Sequence, residues 1–138
     1  DTTQLLLSHI HRWLFTLHGS EDFVHDGSTY LCFRRHINAI VSLPSCVVSA
    51  TLKLYCNAWP ARNRFGLLGR GCPLHCGAKS DLVKHLLSCP TFNVLVSDLS
   101  AVDLAYSPGG ILGFETLSED ASQRLACAVY CIYKFCCA

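Results

Sequence analysis

The sequence predicts a mainly α, small multi-helix domain with a zinc-pinned turn-helix, a zinc knuckle, in its middle. Three observations lead there. Apolar residues recur at helical spacing in several segments. Gly, Pro and Ser clusters separate those segments. One stretch, Cys72 to Pro90, carries thiols and an imidazole at metal-ligand spacing.

The 138 residues are 51% hydrophobic and 15% charged, which marks a globular chain and excludes a disordered one. Its longest apolar run, Leu125 to Tyr133, is far short of the roughly 20 residues of a membrane span. The early apolar stretch is broken by His9, His11 and Arg12, so it does not read as a secretory signal. There is no Met and the first residue is Asp1, so a piece of a longer protein is expected. Six of the ten cysteines (Cys32, Cys46, Cys56, Cys127, Cys131, Cys136) fall among apolar residues in helix-like segments, where a free thiol acts as a small hydrophobe. That usage favours a reducing compartment, nucleus or cytoplasm, over a secreted disulfide scaffold.

Thr2 or Thr3 can cap a first helix with Leu6, Ile10, Trp13, Leu14 and Leu17 on one stripe, ended by Gly19-Ser20. His9, His11 and His18 have no ligand partner at suitable spacing and are expected at the surface or half-buried. Tyr30, Phe33, Ile37, Ile40 and Val41 mark a second helix, with Arg34, Arg35 and His36 on its other side and Leu43-Pro44 as its stop. Ser45 is the expected N-cap of a third, whose buried face would be Val48, Leu52, Tyr55 and Trp59. Trp59 on that stripe reads as core in preference to a base-stacking platform. Beyond the Cys72–Pro90 stretch, Phe92, Leu95, Val96, Leu99 and Val102 define another helix, which Pro90 could open. Ser107-Pro108-Gly109-Gly110 is a turn. Ser118 caps the last helix, with Ala121, Leu125, Ala128, Val129, Ile132 and Cys136 inward and Cys127 and Cys131 on the other side. The latter two are four apart, so a second metal site is conceivable there, although contact with missing parts of a parent protein is the favoured reading.

The central stretch reads C-x3-C-x8-H-x3-C. Pro73 rigidifies the start of a tight turn between Cys72 and Cys76, and Gly77 permits a left-handed residue after it. Ser80 or Asp81 would cap a helix from Leu82 to Cys89, placing His85 and Cys89 on one face. Cys72, Cys76, His85 and Cys89 are the predicted ligands of one structural zinc ion. His75, three residues after Cys72, is the alternate second ligand. Four protein ligands leave no position for a substrate water, so the site would be structural and not catalytic.

Charge is uneven along the chain. Residues 34–84 carry a net +7, and the flanking segments 1–33 and 85–138 carry −3 each. A basic middle that leads into a metal turn points to a polyanion partner, RNA or DNA. Arg62, Arg64, Arg70, Lys79 and Lys84 are the candidate phosphate contacts.

The run Trp59…Arg64…Cys72-x3-Cys76-Gly77…Asp81-Leu82…His85-Leu86-Leu87-x-Cys89-Pro90, preceded by Asn57-Ala58, resembles the zinc-knuckle (CCHC) region that follows the polymerase in reverse transcriptases of non-LTR, LINE-type retrotransposons. The resemblance covers about residues 45–95. Many members have C-x2-C and H-x4-C where this chain has three intervening residues in both places, and Pro60 follows the Trp where a polar or small residue is more familiar. The resemblance implies a nucleic-acid-contacting module of a larger protein that copies element RNA into DNA at a nicked target. Residues 1–60 would then be the end of a polymerase thumb or connection, 61–90 the basic loop and knuckle, and 91–138 a helical segment packing on both. The rest of the parent reverse transcriptase would be a partner, with neither a membrane nor a small-molecule substrate involved. No polymerase acidic motif and no endonuclease constellation is visible, so the fragment is expected to lack catalysis of its own. A zinc-stabilised protein-interaction module, a secreted disulfide-rich domain and a decayed element fragment without function remain as alternatives.

Overall fold

A computed structural model describes residues 4–6, 8, 9, 12, 27–56, 59, 72, 74, 76, 77, 83–103, 111–113 and 116–137. Among them the chain is mainly helical, and five helices follow in order: α1 Gly27–Ile40, α2 Ser45–Tyr55, α3 Val83–Ser88, α4 Pro90–Ser100 and α5 Glu119–Cys137. Residues 4–6, 8, 9 and 12 are helical as well, and His9 is exposed as expected. No described helix is long and apolar enough to cross a membrane.

α5 is the axis of the fold. It lies against α1, α2 and α4. Its inward stripe is the predicted one: Ala121, Leu125, Ala128, Val129, Ile132 and Cys136 are all buried, joined by Ser122 and Ala126. The Ser118 hydroxyl accepts the Ala121 amide at 3.1 Å, and Glu119 and Asp120 follow in the first turn, where negative charge suits the helix dipole. Arg124 ties α5 to the end of α4. Its Nη1 donates to the Ser100 carbonyl at 2.6 Å, and its Nε pairs with Asp120 at 2.8 Å. It thereby caps exposed carbonyls at the left-handed Ala101 (φ 55°) that ends α4.

The core draws on residues from Phe33 to Cys136. Phe33, Leu54, Tyr55, Trp59, Cys72, Leu86, Leu87, Cys89, Phe92, Leu125 and Val129 belong to one buried cluster. Trp59 is 1% exposed, and its Nε1–H donates to the Ala50 carbonyl at 3.0 Å. Its ring meets Phe92 and Tyr133 edge-on, at centroid distances of 6.2 and 5.2 Å. The indole is therefore core and is not free to stack on a base.

Three local expectations are corrected. α2 starts at Ser45, with Pro44 as its N-cap residue and no side-chain cap bond. The Pro44 carbonyl accepts the Val47 and Val48 amides directly, so Ser45 is not needed as a cap. The buried face of α2 is Val47, Ala50, Thr51, Leu54 and Tyr55, with Leu52 exposed. This helix has apolar residues on two sides, so periodicity alone chose between them, and Thr51 buries only because its hydroxyl bonds the Val47 carbonyl at 3.2 Å. On α1, Arg34 and Arg35 are exposed, but His36 is buried and Val41 is outside.

His36 packs against Gly113, whose φ of +82° favours glycine and where a Cβ would run into the imidazole. Its Nδ1 has no hydrogen-bond partner among the described residues. Burial pushes its pKa down from 6.5 to about 4. The unfolded chain therefore takes up this proton near pH 6.5, while the folded chain resists until about pH 4. The contribution is fully present above pH 6.5, and stability falls by about 3 kcal/mol as pH drops through that window. Denaturant titrations of wild type and His36→Leu between pH 7 and 4 check this. The wild type should lose about 3 kcal/mol more than the variant; equal losses would remove His36 as the cause.

Candidate metal centre

The Cys72–Pro90 stretch is built on two local devices. The first is the bend at Cys76 and Gly77, where Gly77 takes a φ of +95° with nothing near its absent side chain. The backbone angle alone, not crowding, asks for glycine there. The second is the corner between α3 and α4. α3 ends at Ser88, one residue short of the expected end, and the Cys89 amide closes it by donating to the Leu86 carbonyl at 3.1 Å. Cys89 itself is extended (φ −69°, ψ 122°), as a residue before proline should be, and it serves as the N-cap residue of α4. Pro90 opens α4, where its missing N–H costs nothing. His85 and Cys89 thus flank a corner and do not share a continuous helix face, but the corner still aims both side chains at the Cys76 bend.

The four side chains converge. The ligand atoms of Cys72, Cys76, His85 and Cys89 all lie within 4.8 Å of one another, the single such Cys/His/acid cluster among the described residues. The Cys72 and Cys89 sulfurs are 3.8 Å apart, and the Cys76 sulfur is 3.1 Å from His85 Nε2. A tetrahedral ion with metal–sulfur bonds of about 2.3 Å sets S···S edges of about 3.8 Å, so the Cys72–Cys89 spacing matches one such edge, while Cys76 and His85 lie at hydrogen-bond distance. Cys72 and Cys89 are buried in the core cluster, and Cys76 and His85 are half-buried at its edge.

The electrostatics also fit a cation. Burial lifts the Cys89 thiol to about 11, and the neighbouring Cys76 and Cys72 add to the rise; the Phe92 amide pulls the other way. Without a cation Cys89 therefore disfavours the thiolate form, and a divalent ion would reverse that balance. Burial lowers the pKa of His85, which keeps the imidazole in the neutral form that binds metal. Cys32, Cys46, Cys56, Cys72, Cys89, Cys127 and Cys131 are free thiols.

The other predicted site residues stand differently. His75, Arg62, Arg64, Arg70 and Lys79 lie outside the described residues, and Lys84 falls on α3 with its side chain also outside them. Cys127 and Cys131 are exposed on α5 and do not belong to the cluster. One residue of the site was not anticipated. Asn93, 3% exposed on α4, donates from Nδ2 to the Cys89 carbonyl at 2.9 Å and to the Leu87 carbonyl at 3.3 Å, holding the corner that aims Cys89. Its signal in the sequence is a polar residue set between Phe92 and Val96 on an otherwise apolar stripe.

No family model, characterised protein or solved structure matches this chain. The centre therefore stands on its own geometry: three thiols and an imidazole that could hold one metal ion.

Asn93→Ala should cost about 1 kcal/mol, because the Leu87 and Cys89 carbonyls lose a side-chain donor while Cys89 keeps the Asn93 amide, and should weaken metal retention roughly 10–100-fold, as loss of an outer-shell partner does. Chemical denaturation and chelator competition measure the two effects. Loss of stability with unchanged metal affinity would show that Asn93 supports the fold without shaping the site.

Proposed function

We propose that this chain is a zinc-stabilised, non-catalytic module that contacts nucleic acid, resembling the knuckle region of a LINE-type reverse transcriptase. The convergence of Cys72, Cys76, His85 and Cys89 carries the reading. The donor set is three soft thiolates and one imidazole within 4.8 Å of one another, which favours zinc among common ions. With all four positions taken by protein, the ion would have no place for a substrate or an activated water. Its work would be structural: pinning the Cys76 bend to the α3–α4 corner and so fixing where the basic loop before Cys72 emerges. Binding at such a site supplies folding free energy on the order of 10 kcal/mol.

The nucleic-acid part is supported by charge. Within the net-positive middle of the chain, Arg34 and Arg35 are exposed on α1, and Arg62, Arg64 and Arg70 precede the first thiol in sequence. RNA is the proposed first partner, with target DNA as the second, and the remainder of a reverse transcriptase as the protein context.

The test is the salt dependence of RNA binding by the zinc-loaded chain. Neutralising Arg62, Arg64, Arg70, Lys79 and Lys84 together should flatten the slope of log K against log salt by roughly 0.7 per lost contact on a single strand. An unchanged slope with zinc retained would take these residues out of the interface. Competition of RNA by a protein partner at the same surface would favour an interaction module.

A further inference from the structure

Cys127 and Cys131 lie four residues apart on the 19-residue α5, and both are free and exposed. Residues at that spacing have Cβ atoms about 5–6 Å apart on a helix. A disulfide needs Cβ atoms about 3.5–4.5 Å apart. An intact α5 therefore holds the two thiols too far apart to bond to each other. The same spacing suits a bridging ion, because a linear bis-thiolate spans roughly twice a metal–sulfur bond, about 4.6 Å.

Which ion follows from what else is present. Among the described residues no third Cys, His or carboxylate joins the pair, since the one cluster of three or more is at Cys72. Zinc with two protein ligands would be outcompeted by the four-ligand centre. Soft thiolates suit Cu(I), zinc and iron–sulfur clusters, and of these Cu(I) is the one that two ligands satisfy. The surroundings agree. Cys131 lines an apolar groove of about 360 Å³ with Leu74, Leu95, Leu99, Ile132 and Phe135, which keeps water off one side. Lys134 is exposed one turn beyond Cys131 and can offset negative charge. Partial burial raises the Cys127 thiol, and the charge of Cys131 raises it further, so the two sulfurs are within electrostatic reach.

We propose that Cys127 and Cys131 form a second metal site, separate from the Cys72 centre, that holds one soft monovalent ion of the Cu(I) class between two thiolates. Binding releases both thiol protons to solvent and leaves a complex with one negative charge. The full chain, loaded first with one equivalent of zinc, is titrated anaerobically with Cu(I) against bicinchoninate, with zinc release followed in parallel. Wild type should take up one tight equivalent without releasing zinc. Cys127→Ser and Cys131→Ser should each weaken it by more than roughly 100-fold, beyond what loss of an outer-shell partner gives. A Cys46→Ser/Cys56→Ser chain should match wild type. Unchanged affinity in Cys127→Ser or Cys131→Ser, loss in the Cys46/Cys56 variant, or zinc expelled mole for mole would each overturn the proposal.

Discussion

Cys89 is where the structure's constraints meet. It ends α3, caps α4, takes its extended backbone from Pro90, and brings its sulfur to 3.8 Å from that of Cys72, seventeen residues earlier. Leu86, Leu87 and Phe92 on either side of it are fully buried in the same cluster as Trp59 and Leu125. The corner is thus held by core packing on one side and by the convergence of donors on the other. Burial raises the Cys89 thiol to about 11, so without a cation it stays neutral, and a bound divalent ion would favour its thiolate instead. A metal ion would account for the convergence of three thiols and an imidazole at this one corner.

The division of labour between core and site follows from this. α5 organises the helices through an apolar stripe, and Arg124 fastens it to the carbonyl end of α4. α4 then carries the corner and its Asn93 clamp. The centre would therefore sit at the edge of a formed core and not in a self-sufficient loop. Loss of the ion should loosen the Cys76 bend more than the packing of α1, α2 and α5.

What could be read in advance, and what could not, has a physical pattern. The α5 stripe was legible because Glu119, Asp120, Arg124 and Lys134 fall off it, leaving Ala121, Leu125, Val129 and Ile132 as the inward side. α2 was not, since Val47 and Val48, or Leu52 and Leu54, offer two equally apolar faces, and only the position of α5 decides between them. His36 is buried because Gly113, remote in sequence, leaves space for its ring. The ligand positions were legible from spacing, yet the helix break between His85 and Cys89 shows that the same spacing is met by a corner as well as by a helix face. The part played by Asn93 depends on two carbonyls turning toward it, which no local pattern records.

X-ray absorption at the zinc edge of the purified chain tests the central claim most directly, because it reads the donor set itself. The account predicts one zinc per chain with three sulfur neighbours at about 2.3 Å and one nitrogen at about 2.0 Å. Two sulfurs and two nitrogens would put His75 in place of Cys76, and a chain that holds no zinc would contradict the site altogether.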